Sequence, residues 1–272
     1  MLKRDFQNKT KKNKNMILRR LGNKSKISEK IHKLFPKHEI YIEPFFGAGG
    51  MFFNKPKAKY NIVNDIDADV FNLFMVVMND KEALREAFFQ MPIHKDLLNY
   101  YKNNEEQDPV KKAIRFLFLS NLTYLGKGQT LQLGSDNGKL NFNFKLNKTF
   151  EILENVKFDN SDFRTFLNKN IAFGTSGFSC LPEKCFIYCD PPYLGTDNNY
   201  SNSFTKEDVV DLFDCLEATK CKFAVSEFDH EFILEEAERR GLVVNYIGER
   251  QNLKNRRSEI LITNYQARHT LF

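Results

Sequence analysis

The chain has 272 residues and no apolar run of about 18, so no membrane-spanning helix is expected. Its N-terminus has no apolar signal core, and secretion is not expected. Cysteine is scarce. The five are Cys180, Cys185, Cys189, Cys215 and Cys221, an odd number without a CxxC pair. Neither a disulfide framework nor a zinc site is expected, no other metal is implied, and a cytoplasmic location fits best. There is no internal repeat, and no low-complexity segment beyond the first dozen or so residues.

Phenylalanine is plentiful, with 27 residues in an apolar fraction of 42%, enough for a real core. The length suits one large domain, or one domain with an insertion. The net charge of +6 is unevenly placed. Residues 1–33 carry a local excess of +10, and the remainder carries −4. The segment "MLKRDFQNKTKKNKN" reads as a flexible basic arm over 1–15. Such an arm serves either a polyanionic partner or only solubility, and charge alone does not separate the two.

Downstream, Ile27, Ile31 and Leu34 recur at helical spacing and stop near Pro36. "EIYIEPFFGAGG" reads as a strand, Glu39 to Ile42, breaking into a glycine turn, with "MFF" opening a helix. "AKYNIVNDID" is a second strand with acids at its end, and "ADVFNLFMVVMNDKEALREAFFQM" is helical in pattern. This order opens an α/β sheet. "KKAIRFLFLSNLTYL" reads as a helix, and Thr130–Leu133 and Leu140–Phe144 alternate around Asn137-Gly138 as a β-hairpin. That helix and hairpin form an insertion, 81–150, between the two parts of an α/β domain, 16–80 and 151–272. Helices are expected over Thr205–Thr219, with Thr205 and Asp208 as a capping box, and over Asp229–Arg240.

Two stretches carry chemistry. In "EPFFGAGG", Gly47 and Gly49 permit tight backbone geometry and close approach of a ligand to the main chain. Asp65, ending the next strand, can accept hydrogen bonds from both hydroxyls of a ribose. Together they point to an adenosine-bearing cofactor at the carboxyl edge of the sheet. In "YCDPPYLG", Pro191 and Pro192 lack N–H groups and force the preceding residues into an extended path. Their carbonyls and Asp190 make a patch of acceptors without donors, the complement of an exocyclic amine. Tyr193 offers a flat face on which a purine can stack.

With these motifs in order from residue 17 to 272, the chain resembles the Dam-type DNA adenine-N6 methyltransferases, the alpha group of the D12 class. The resemblance implies a Rossmann-like S-adenosylmethionine-dependent sheet with an inserted target-recognition domain. "RRLGNKSKI" places Arg20 and Lys24 in the first cofactor motif, though Arg20 stands where the family usually has an aromatic. Glu43, Phe45, Gly47 and Gly49 match the methyl-donor motif, Asp65 the ribose acid, and Asp162 and Phe163 the adenine end of the cofactor. Asp190, Pro191, Pro192 and Tyr193 match the catalytic motif, and the resemblance also places Asp190 among the cofactor-binding residues. The implied cofactor is S-adenosyl-L-methionine, and the implied partner is double-stranded DNA, bound by a monomer, with a cognate restriction endonuclease as a further partner. By the same resemblance Asn121, Tyr124, Lys127, Gln129 and Gln132 contact bases, and Lys127, Arg250, Lys254, Arg256 and Arg257 contact phosphates. The arginine of GATC-reading members is absent around Gln129–Thr130, so no GATC site is implied. Methylation of another amine and a DNA-binding relative without catalysis are the competing readings. The aspartate of DPPY favours adenine over cytosine N4 or protein glutamine, and the intact motifs favour an enzyme.

Overall fold

The computed structural model of the chain describes residues 16–20, 23–132, 139, 141–171, 181–195, 204–251 and 256–267, without the side chains of 170, 171, 250, 251 and 256. The arm expected over 1–15, Lys254 and the Asn137-Gly138 turn lie outside the described residues. Two compact units are built from interleaved segments. A sheet unit takes Ile27–Phe46, Pro56–Ile66 and Val156–Phe272, and a helical unit takes Met1–Lys26, Gly47–Lys55 and Asp67–Asn155.

In the sheet unit the strands are β1 (Ile40–Glu43), β2 (Tyr60–Asn64), β3 (Val156–Asp159), β4 (Cys185–Cys189), β5 (Lys222–Phe228), β6 (Val243–Gln251) and β7 (Arg256–Thr263). Their order is β3-β2-β1-β4-β5-β7-β6. β1 to β5 run parallel to one another, and β7 is antiparallel to both β5 and β6. "CFIYC" is buried at every position, as a parallel strand covered on both faces must be. Alternation divides its side chains between two cores. Ile187 and Cys189 join Ile42, Val225, Phe166, Leu212 and Phe213 in one cluster. Phe186 and Tyr188 meet the Phe35 ring at 4.5 and 5.3 Å in another.

The helices, in chain order, are α1 (Ser28–His32), α2 (Ala68–Asn79), α3 (Lys81–Gln90), α4 (Lys95–Asn103), α5 (Pro109–Asn121), α6 (Phe142–Leu153), α7 (Phe163–Ile171), α8 (Lys206–Ala218) and α9 (Glu231–Arg239). The expected capping box opens α8: Thr205 N donates to Asp208 at 2.8 Å, and Asp208 N donates to Thr205 Oγ1 at 3.1 Å. Where one long helix was expected after Asp67, Asp80 interrupts it with φ −133° and ψ 37°, giving α2 and α3. "MFF" does not open a helix. It forms only the single 3₁₀ turn Phe52–Asn54. Among the described cysteines Cys189, Cys215 and Cys221 are free, and Cys185 is disulfide-bonded, which the sequence reading did not foresee.

The second arm of the expected hairpin is corrected outright. From Phe142 the chain is helical, with Phe142, Leu146, Thr149 and Leu153 buried at helical spacing. Phe142 stacks on Phe88 of α3 with centroids 3.6 Å apart, a packing that overrides the short alternation of "LNFNF". The antiparallel contact occurs earlier, as a bridge between Thr123 and Leu131, with Gln132 N donating to Leu122 O at 2.8 Å. By compactness α2 groups with the inserted helices, the segment up to Lys26 and Gly47–Lys55, and apart from Ile27–Phe46 and Pro56–Ile66.

β1 and β4 are neighbours, and the chain proceeds from β1 to β2 on one side and from β4 to β5 on the other. Open α/β sheets bind ligands outside the carboxyl ends of the strands at such a switch point.

Candidate active site and nucleic-acid interface

The loop after β1 is pinned from several directions. Phe46 N donates to Asn64 O at 2.9 Å, tying the entry of the glycine turn to the end of β2. The Asn64 side chain is buried and donates to both Pro44 O and Ser161 O at 3.0 Å. It also accepts from Ser161 N at 2.9 Å. Asp65 follows, half-buried, with its carbonyl held by Asn160 Nδ2 at 2.7 Å. Glu43 is 1% exposed and accepts from Tyr41 Oη at 2.7 Å. The Phe45 ring packs 5.5 Å from Phe163 and 6.0 Å from Phe204. Asp162 accepts from Arg164 N at 2.9 Å at the start of α7.

In the helical unit Gly47 and Gly49 adopt φ of 53° and 70°, which a side chain would resist. A Cβ at Gly47 would meet nothing within 4 Å, so the turn presents open space to a ligand. A Cβ at Gly50 would stand 2.9 Å from Lys24 N, so the Lys24 turn and the glycine turn are in direct contact. Lys24 itself is 2% exposed. Arg20 is committed elsewhere: it pairs with Asp67 at 2.5 Å and lies over the Phe116 ring at 5.6 Å.

Asp190 leaves the end of β4 half-exposed, followed by buried Pro191. Tyr193 is buried, its hydroxyl donates to Glu259 Oε1, and Phe228 meets its ring edge-on at 4.6 Å. Burial first, then the Asp190 charge, holds the hydroxyls of Tyr188 and Tyr193 well above the usual tyrosine range. Burial, then Glu43 and Asp190, does the same for the Cys189 thiol, which is therefore no thiolate nucleophile. These carboxylates give the end of the sheet a negative field. Among the described residues no cluster of His, Cys, Asp and Glu could hold a metal ion, and no helix is long and apolar enough to cross a membrane.

The inserted loop exposes Tyr124, Lys127, Gln129 and Gln132. Left-handed backbone at Leu125, Gly126 and Gly128 shapes it, and Thr123 Oγ1 secures it by accepting from Gly128 N at 2.9 Å. Asn121, expected to read bases, is occupied instead. Its Nδ2 donates to Ile17 O at 2.7 Å and its Oδ1 accepts from Arg19 N at 2.8 Å. On the β6–β7 hairpin Arg250 stands opposite Arg257, and the Arg257 guanidinium lies 5.6 Å over the Phe228 ring.

A family model described as D12 class N6 adenine-specific DNA methyltransferase matches residues 21–256. This chain belongs to that class. The DNA adenine methylase of Escherichia coli (strain K12) is 30% identical over 229 residues, covering 76% of this chain and 77% of that protein. The type II methyltransferase M.MjaIII of Methanocaldococcus jannaschii is 29% identical over 223 residues, covering 72% and 75%. The DNA adenine methylase of Vibrio cholerae (strain ATCC 39541 / Classical Ogawa 395 / O395) is 25% identical over 238 residues, covering 79% and 80%. As a D12-class adenine-specific methyltransferase, the chain carries its glycine turn and DPPY segment after adjacent strands of a Rossmann-like sheet. Sequence reasoning did not find Asn64, Phe204 or Glu259. Asn64 was visible as the polar residue ending a buried strand, but its partners lie far along the chain.

Proposed function

We propose that the chain is a site-specific DNA methyltransferase that uses S-adenosyl-L-methionine and acts on an adenine turned out of double-stranded DNA. The observation that carries this reading is the position of Asp190, at the end of buried β4, beside the strand that leads into the glycine turn. The open Cβ position at Gly47 suits close approach of a ligand, and the Glu43 and Asp190 carboxylates at the end of the sheet suit a cationic one. Gly47, Gly49 and Lys24 would hold the cofactor along the first turn, and Glu43 would serve it from β1. Asp65 would hold its ribose, and Asp162, Phe163 and Phe45 its adenine, with Phe204 completing the ring wall. Arg20 is left out of this set because Asp67 and Phe116 engage it.

When bound, the cofactor supplies an electrophilic methyl group on a sulfonium. The chain's own residues prepare the acceptor. The N6 lone pair of adenine is delocalised into the ring, so the amine is a weak nucleophile. Asp190 and a carbonyl of Pro191 or Pro192 accept its two N–H bonds, which turns the nitrogen toward tetrahedral geometry and aims the lone pair. Alignment and preorganised acceptors supply the catalysis, without a covalent enzyme intermediate. A paired adenine cannot reach these groups, so it leaves the stack and lies against Tyr193. Tyr124, Lys127, Gln129 and Gln132 are the exposed candidates for reading sequence. Arg250, Lys254, Arg256 and Arg257, with the basic arm, would neutralise phosphates.

A single chain carries every one of these groups, which supports a monomer, and a DNA substrate supports a cytoplasmic location. Any cognate restriction endonuclease would have to read the same site. The test is incubation with tritiated S-adenosylmethionine and defined DNA duplexes, followed by nucleoside analysis. Label in N6-methyl-2′-deoxyadenosine is the expected result, and label in a cytosine nucleoside or in protein would overturn the reading.

A further inference from the structure

Glu259 stands on β7 directly opposite Phe228 of β5, 2% exposed. A carboxylate buried this deeply is costly unless it is hydrogen-bonded, and Glu259 Oε1 accepts the hydroxyl of Tyr193. The Phe228 ring closes on the same tyrosine, 4.6 Å away at 85°. Pro191 and Pro192 restrict the backbone leading to Tyr193, but its ring torsions are set by what the side chain touches. One hydrogen bond at the far end of the ring and one aromatic edge on its flank fix them. Arg257, two residues before Glu259 on the same strand, lies 5.6 Å over Phe228. The strand that would meet DNA phosphates thus also carries the group that holds Tyr193.

We propose that Glu259 is a positioning residue for the target adenine, acting through the Tyr193 hydroxyl to set the plane on which the base stacks. The proposal rests on the reading that Tyr193 stacks the extruded base. Glu259 would not touch the substrate.

The experiment combines Y193A, Y193F, E259A, E259Q and Y193F/E259A. It compares single-turnover transfer, melting temperature, S-adenosylmethionine affinity and the fluorescence of 2-aminopurine at the target position. Misplacement of a reacting group by about 1 Å can cost roughly 100-fold, so E259A and Y193F should each slow transfer by about 10- to 100-fold. Both should brighten 2-aminopurine as the base loses its stack, while cofactor affinity holds. The double variant should be no slower than the slower single variant. E259Q keeps an oxygen acceptor and should lose less than E259A. The proposal is overturned if E259A melts lower but transfers at the wild-type rate, or if the two single effects multiply. Should E259A not fold, Y193F removes the same hydrogen bond, and a wild-type rate in Y193F overturns the proposal equally. Unaltered transfer and fluorescence in Y193A would instead refute base stacking itself, a separate failure.

Discussion

Asn64 grips Ser161 with both ends of its amide, Nδ2 donating to the Ser161 carbonyl at 3.0 Å and Oδ1 accepting from its N–H at 2.9 Å. The same Nδ2 reaches Pro44 O at 3.0 Å, so one buried side chain joins the loops after β1 and β3. Asn64→Ala leaves these groups without that partner, at a cost of about 1–3 kcal/mol for each buried group. For a chain this large, each kcal/mol corresponds to a melting shift of roughly 2–4 °C. We expect Asn64→Ala to melt several degrees lower and to bind S-adenosylmethionine more weakly, because Asp65 and Asp162 adjoin the clamp. Scanning calorimetry and a binding titration measure both, and no change in either would refute the clamp.

Asp190→Ala should nearly abolish methyl transfer while cofactor binding survives. Loss of one preorganised electrostatic group costs about 10²–10³ in rate. Rapid-quench single-turnover assays separate this from a binding defect. A variant that keeps most of its rate would remove Asp190 from the acceptor patch.

Cys189 directly precedes Asp190 and invites a nucleophilic reading, which its environment contradicts. Burial, then Glu43 and Asp190, pushes its thiol up, whereas Cys215 is only half-buried. In the native protein a thiol reagent should therefore modify Cys215 well before Cys189, and Cys189→Ala should retain transfer. Peptide mapping of the modified protein decides the order. Rapid labelling of Cys189 accompanied by loss of transfer would reopen the nucleophile.

Acid stability should depend on Arg164, which bonds Asp208 at 2.5 Å and Asp211 at 2.7 Å between α7 and α8. Burial pushes the Asp208 carboxyl up. The Arg164 hydrogen bond and those of Thr205 outweigh it and hold the carboxyl below its ordinary value of 3.8. A carboxyl lowered on folding contributes stability that is complete above its unfolded value and is lost as pH falls through the folded one. Arg164→Ala should thus melt lower than wild type at neutral pH, with the gap closing as the pH drops below 3.8. Melting curves across pH measure the gap. A gap that widens in acid would reverse the assigned sign.

What could be read from the sequence was local. The stretches "EIYIE" and "AKYNIVNDID" marked β1 and β2, and the missing N–H groups of Pro191 and Pro192 marked a candidate acceptor patch. The Thr205 capping box spans only four residues and is present as expected. The failures involve distant partners or competing periods. "LNFNF" alternates over five residues, while the helical repeat from Phe142 to Leu153 emerges only over twelve. Asn121 looked like a base reader because its partners, Ile17 and Arg19, lie more than 100 residues away. Glu259 was unremarkable in sequence because Tyr193 is 66 residues distant.

Specificity should therefore lie in the exposed part of the inserted loop and not in its braced root. Tyr124, Lys127, Gln129 and Gln132 are exposed, whereas the Asn121 amide is spent on the main chain at both ends. The two kinds of residue separate experimentally. If Lys127 binds a phosphate, Lys127→Ala weakens binding to all DNA similarly and reduces the salt slope by about one. If Gln129 or Gln132 pairs with a base edge, its replacement by Ala relaxes one position of the site and costs about 1–3 kcal/mol on the cognate sequence alone. Asn121→Ala should lower the melting temperature, because the Ile17 carbonyl and Arg19 N–H lose their partners, and should leave the methylated sequence unchanged. Methylome sequencing of cells expressing each variant reads the site directly. A shift in site preference for Asn121→Ala, with none for the exposed residues, would place recognition at the root of the loop instead.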